Sequence, residues 1–248
     1  MRLKLIACEV LYREMCAAAA RSPNQVDIEF LPKGLHDLGG DAMRAGLQEM
    51  VDRADPARHE AILLGYGLCG NGVAGLASRA LPLVIPRAHD CIALLLGGRD
   101  RYQQYFENTP GVYFRSTGWL ERGEDLDQTT LGMVRKRTGA GYTLEELVER
   151  YGAENGRYLY EELASYQRSY SQLTYIKTGL EPDGSFEQRA REEAERRGWR
   201  FDAISGDTRL FEKLVGGDWD EGEFLVVPPG WRVKAVYDGG VIDKEPAA

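Results

Sequence analysis

Cys8, Cys69 and Cys91, with His36 and His89, are the side chains of this sequence best suited to hold a soft metal or to act as nucleophiles. Thiolate and imidazole ligands select zinc or an iron–sulfur cluster over magnesium or calcium. We take Cys8, Cys69, His89 and Cys91 as candidate metal ligands and His36 as a further ligand or acid/base group. Glu9 and Asp90 sit beside ligand candidates, where a carboxylate would fix an imidazole or move a proton. Arg87 would anchor an anionic substrate through its planar, permanently charged guanidinium. Cys91 directly follows Asp90, a helix-capping residue type, so the helix dipole would favour its thiolate.

Cys69 lies in the run Gly65-Tyr66-Gly67-Leu68-Cys69-Gly70-Asn71-Gly72. Glycines let the backbone and a ligand approach closely, so Tyr66, Gly67 and Gly70 are candidates for cofactor contact. The run contains neither G-x-G-x-x-G nor a Walker A lysine, which gives a nucleotide site little support. No G-x-S-x-G elbow indicates a hydrolase triad. There is no C-x-x-C pair either, and a free cysteine often simply fills space in a core. That bland reading fits Cys16, which lies mid-helix among alanines. His59 precedes a strand and reads as a surface residue. Lys177-Thr178-Gly179 reads as a turn, and Pro228-Pro229-Gly230 as a rigid strand stop. Tyr102, Tyr105 and Phe106 have helical spacing and read as core packing, with a lid over a flat ligand as the sharper alternative.

The elements that must position these residues alternate in type. Apolar runs at 3–7, 26–31, 61–64 and 83–85 read as strands, with helical patterns between and after them. The first four strands would therefore deliver Cys8-Glu9, then Lys33, His36 and Asp37, then Tyr66 and Cys69, then Arg87, His89, Asp90 and Cys91. From 126 to 172 the pattern turns helical, with a capping pair at Thr143 and Glu146 starting a helix through Leu147 and Tyr151. Strands follow at 173–176, 201–204 and 224–227, with helices from Ser185 (boxed by Gln188) to Arg197 and around 211–215. The expected class is α/β: a mostly parallel, doubly wound sheet with a helical insertion, or two Rossmann-like halves. The corresponding divisions are 1–125, carrying the Cys/His loops, then 126–172 as insertion or lid, then 173–248. Ligands of such sheets bind at the carboxyl ends of the strands.

Composition limits the function. The 248 residues carry a formal net charge of −8, and the arginines are interleaved with acids, so no nucleic-acid footprint emerges. No stretch approaches the ~20 apolar residues of a membrane span, and the start lacks a signal-like pattern. A cytoplasmic location follows as the expectation, with the cysteines as thiols rather than disulfides.

The segments IACEVLYRE, GLHDLGG, LGYGLCGNG, VIPRAHDCIALLLGGRDRY, PGVYFRSTGWLERG and GDWDEGEFLVVPPG resemble a family of bacterial and archaeal proteins known as domain of unknown function 1638. YGLC and RAHDC are the most specific parts. The resemblance implies association with corrinoid-dependent methyltransferases and one-carbon metabolism, hence a corrinoid protein or methyltransferase as partner. The resulting expectation is a zinc or iron–sulfur protein, either a metal-dependent methyltransferase or its accessory or reactivation factor, acting on an unidentified small molecule. The alternatives are a non-catalytic module binding a small ligand or a corrinoid protein, and a metal-free Cys/His thiol enzyme.

Overall fold

The computed structural model describes residues 1–33, 40–122, 144–158 and 170–247. The chain is mixed α/β with a mostly parallel central sheet. β1 (Arg2–Cys8), β2 (Gln25–Leu31), β3 (Ala61–Gly65) and β4 (Leu83–Pro86) form it together with β8 (Phe224–Val227), in the order β2-β1-β3-β4-β8. All its pairings are parallel except that of β8 with β4. Every residue of β3 and β4 is buried, as expected of parallel strands covered on both faces. At the edge, β2 keeps Asp27 and Glu29 partly exposed, which discourages pairing with another chain.

α1 (Tyr12–Arg21) follows β1 after a 3-10 turn, Glu9–Leu11, and α2 (Gly40–Asp52) precedes β3. α2 buries Met43, Leu47, Met50 and Val51, the apolar face its spacing predicts. A later helix, α8 (Arg209–Gly216), buries Leu210, Phe211, Leu214 and Val215 and packs beside α1. β4 leads into α3 (Cys91–Leu95) and α4 (Arg99–Asn108).

A second, wholly parallel sheet is built from β5 (Val112–Ser116), β6 (Gln172–Lys177) and β7 (Arg200–Ser205), in that order. With it go α5 (Thr117–Arg122), α6 (Leu144–Tyr151) and α7 (Ser185–Arg197), and α8 (Arg209–Gly216) carries the chain back to β8. β9 (Trp231–Ala235) and β10 (Ile242–Pro246) close the fold as an antiparallel hairpin. The sheets thus cut across the divisions expected from the sequence: β5 pairs with the later strands, and β8 joins the first sheet. Of the expected 126–172 insertion, α6 is described and most of the rest, with Thr143, lies outside the described residues.

The carboxyl edges of the two sheets meet. Gly118, just past β5, lies against the Val10 carbonyl with no room for a Cβ. Thr178, just past β6, donates its hydroxyl to Glu14 Oε1 at 2.8 Å. The Asp207 N–H, just past β7, bonds the Leu95 carbonyl at 2.9 Å. A second small core of Leu173, Tyr175, Ala190 and Ala194 lies under the second sheet. Beside it, Glu193 takes both arms of Arg115 at 2.8 and 2.9 Å.

Three local expectations are corrected. His59 is buried, because its ring bonds both Asp27 Oδ2 at 2.9 Å and the Asp55 carbonyl at 3.2 Å. α4 contributes only in part to a core: Tyr102 packs half-buried against the main one, but Phe106 is exposed and the Tyr105 hydroxyl reaches Thr174 at 2.9 Å. α7 starts where expected but without its Ser185–Gln188 box. Gly184 holds the cap position and Asp183 accepts the Ser185 N–H at 2.8 Å, an Asx turn doing the work.

Candidate functional site

The strand order steps from β1 toward β2 on one side and from β3 toward β4 on the other. In open α/β sheets such a reversal opens a crevice at the carboxyl ends of the two central strands. Here those ends are Cys8 on β1 and Gly65-Tyr66 on β3.

Two loops meet above them. The Leu68 and Cys69 N–H groups donate to the Ala88 and His89 carbonyls, both at 2.8 Å. A Cβ on Gly67 would come within 2.7 Å of the Ala88 carbonyl and the Asp90 nitrogen. The glycine therefore serves close packing of loop on loop, and these two amides are spent on it rather than on a ligand. Cys69 adopts the left-handed conformation at φ 50°, uncommon for a non-glycine residue, and Gly70 follows at φ 61° in open space. Asp90 Oδ1 accepts the Ala93 N–H at 3.0 Å and caps α3, as its position predicts. The Tyr102 hydroxyl donates to the other oxygen, Asp90 Oδ2, at 3.3 Å.

The loop pairing sets Cys69 near the segment that carries Cys91, and Cys8 ends the neighbouring strand. Cys8, Cys69 and Cys91 are 3%, 6% and 7% exposed, and all are free. Burial pushes the Cys8 thiol up to about 11, and pushes Cys69 and Cys91 further. After burial and the nearby Asp90, the next cause at Cys69 is Cys8, and at Cys91 it is Cys69 and then Cys8. Each thiol thus sits within electrostatic reach of another. Polar groups lie near the sulfurs: Tyr66 beside Cys8 and the Trp119 indole beside Cys91. The indole N–H faces Cys91 without good hydrogen-bond geometry, so it remains buried and unpartnered.

The remaining candidates are dispersed. Glu9 Oε1 accepts the Lys33 N–H at 2.7 Å, and the Lys33 ammonium lies 4.8 Å above the Trp119 ring. Arg87 donates to the carbonyls of Glu221, Gly240 and Ile242, which ties down the chain around β8 and β10. His89 is exposed, its ring 6.0 Å from that of Tyr102, and its carbonyl rather than its imidazole serves the thiol loops. Tyr66 is buried against Cys8. His36 and Asp37 lie outside the described residues. Cys16 is half-buried on α1, less enclosed than a core residue. Among the described residues, no group of three or more His, Cys, Asp and Glu side chains is arranged to hold a metal ion.

A family model matches residues 30–215, well over half of the chain, and its description is protein of unknown function (DUF1638). The chain belongs to that family. The match includes the two loops that carry Cys69 and Cys91, the second sheet and α8. Comparison with curated proteins and with solved structures returns no match. Among the described residues no helix is long and apolar enough to cross a membrane.

Trp119 was legible only as one of many aromatic residues, because β5, which positions it, carries a charged Arg115 inside a five-residue strand. Glu14 was missed: it is 2% exposed and its Oε2 has no partner.

Proposed function

We propose that this DUF1638 protein binds a soft metal ion or an iron–sulfur cluster through Cys8, Cys69 and Cys91. The observation that carries the reading is that three buried cysteines follow the ends of three neighbouring strands at the crevice of the first sheet. The donor set fits in kind: sulfur ligands, little water, and N–H and O–H groups near the sulfurs, which stabilise thiolates. It is not closed, since the thiols hold no metal-ligating geometry among the described residues. Loading therefore requires the two loops to draw the sulfurs in, or a ligand from outside the described residues. When bound, zinc would supply Lewis acidity and a cluster would supply electrons.

The chain's own groups have distinct parts in this reading. Tyr66 is buried against Cys8, and the Trp119 indole N–H would find its partner in a Cys91 thiolate. Lys33 lends positive charge near Cys8, offsetting part of the charge that loss of thiol protons would build up. The loop pairing fixes Cys69 relative to Cys91. A role in one-carbon metabolism, with a corrinoid protein or methyltransferase as partner, rests on the family resemblance. The finer fold reading, two doubly wound Rossmann-like halves sharing one cleft, is supported by the all-parallel second sheet and the meeting carboxyl edges.

Metal-free thiol catalysis fits less well, because reactive cysteines have lowered pKa values and open surroundings, the reverse of what is found here. A small-ligand binding module is favoured by one observation. Glu14 Oε2 and the Trp119 indole N–H, an acceptor and a donor without partners, both lie where the two sheets meet.

Anaerobic purification followed by metal analysis and a UV–visible spectrum tests the proposal. Stoichiometric zinc or iron, lost in Cys69→Ser, is expected. Metal-free protein that takes up neither zinc nor iron on reconstitution would overturn it.

A further inference from the structure

α5 lies over the thiol site and belongs to the other sheet. Its Gly118 abuts the Val10 carbonyl, two residues past Cys8, and its Trp119 faces Cys91. The Trp119 ring is in turn covered by the Lys33 ammonium at 4.8 Å. Contacts at the far end of α5 fasten it to α1. Arg13 grips Glu121 with two nearly parallel bonds of 2.7 and 2.8 Å, and the Arg122 guanidinium lies 4.2 Å above the Tyr12 ring. Thr178, from the end of β6, adds its hydrogen bond to Glu14 on the same helix. Three thiols at 3–7% exposure are too enclosed for a metal ion or thiol reagent to reach without movement.

We infer that α5 is a latched cover over the Cys8–Cys69–Cys91 site, held shut by the Arg13–Glu121 pair and plugged by Trp119. The inference rests on the reading of these three thiols as one site, but not on their holding a metal. Opening parts the carboxyl edges of the two sheets, because α5 follows β5 without a break. The latch is polar and partly exposed, with side chains 30% and 26% accessible, whereas the plug is aromatic. Such a latch holds weakly and responds to salt. Regulated access is the consequence: the site is shut at rest and opens locally, without unfolding of the first sheet.

The test uses metal-free, reduced full-length protein alkylated with iodoacetamide under native conditions, each cysteine followed separately by mass spectrometry. Cys8, Cys69 and Cys91 should react slowly in step with one another. Glu121→Gln should speed all three about two- to fivefold, the range expected for losing a partly exposed ion pair. The double exchange Arg13→Glu with Glu121→Arg should restore the slow rate, and Trp119→Ala should accelerate the three thiols more than Glu121→Gln does. In the wild type, their rates should rise with urea much less steeply than global unfolding does. Equal rates in wild type and Glu121→Gln would overturn the latch. A urea dependence matching global unfolding would overturn local opening, with no variant needed. Metal analysis is independent of all these readings, so an empty metal site would leave the cover standing and a loaded one would not rescue it.

Discussion

The residue whose environment says most about the site is Trp119. Its indole N–H is buried without a partner, which ordinarily costs about 1–3 kcal/mol, so its survival calls for a compensating role. Donation to a charged Cys91 sulfur would supply one. Trp119→Phe keeps the ring and its contact with Lys33 while removing the donor. A hydrogen bond to a charged acceptor contributes roughly 1.5 kcal/mol or more, so we expect metal affinity to fall about tenfold. Competition against a chelator measures this. Glu14 is the matching acceptor. Burial raises its pKa, opposed by its own backbone N–H and the Thr178 hydroxyl, with Glu181 raising it further and Arg13 lowering it. Its folded value therefore lies above the ordinary 4.5. The group imposes no penalty below 4.5. It destabilises the fold increasingly as pH rises from there to the folded value, and by a constant amount beyond. Glu14→Gln removes the term, so urea midpoints of the variant should gain on the wild type over that interval and run parallel above it. Parallel behaviour throughout would show that Glu14 ionises in the fold as freely as in water.

The paired loops after β3 and β4 are the elements that make the site. Their glycines play different parts. An alanine Cβ at Gly67 would meet backbone atoms at 2.7 Å, which cannot yield as a flexible side chain would. At Gly70 the same Cβ meets nothing, and only the left-handed backbone at φ 61° opposes it. Gly67→Ala should thus cost on the order of 1–3 kcal/mol, as overpacking does, and should speed alkylation of Cys69 and Cys91 by forcing their loops apart. Gly70→Ala should cost about 1 kcal/mol and leave the thiols as slow as before. Chemical denaturation and cysteine-resolved alkylation separate the two.

This difference also marks how far the sequence was legible. The glycine run was visible as a place of close approach, and at Gly67 what approaches is the backbone of the neighbouring loop. The strands from β1 to β4 and β6 to β8 stood out because buried parallel strands are short apolar runs with turn residues at their ends. β5 did not, since its Arg115 is neutralised by a glutamate 78 residues away, which no local pattern reveals. The placement of Cys8, Cys69 and Cys91 just past the ends of β1, β3 and β4 was legible, because topology fixes where strand ends lie. The place of His89 was not, because the direction of a loop side chain depends on packing that spacing does not encode.

At the scale of the whole molecule, the two sheets differ in what holds them. The first buries β3 and β4 completely and shares one large core with α1, α2 and α8. Among the described residues the second has a small core of Leu173, Tyr175, Ala190 and Ala194, and beside it stands the Arg115–Glu193 pair, each side chain 10% exposed. Burial opposes the charge on Glu193, but bonds from Arg115, with Arg197 at 3.0 Å, hold its pKa below the ordinary carboxylate value. That contribution to stability is present above the unfolded pKa of about 4.5 and is lost as pH falls through the lower folded value. Removing one partner strands the other charge, which for a buried pair costs about 3–5 kcal/mol. Arg115→Met should therefore loosen the second sheet well before the first. Cooperative units of unequal stability open separately, and hydrogen exchange reads each by its own amides. We expect amides of β5, β6 and β7 to lose protection in Arg115→Met while those of β1 and β3 keep theirs. Because α5 continues directly from β5, the thiols should become reactive in the same variant although no residue near them has changed. Uniform loss of protection across both sheets would mean that the molecule unfolds as one unit, and that the cover cannot lift while the first sheet stays folded.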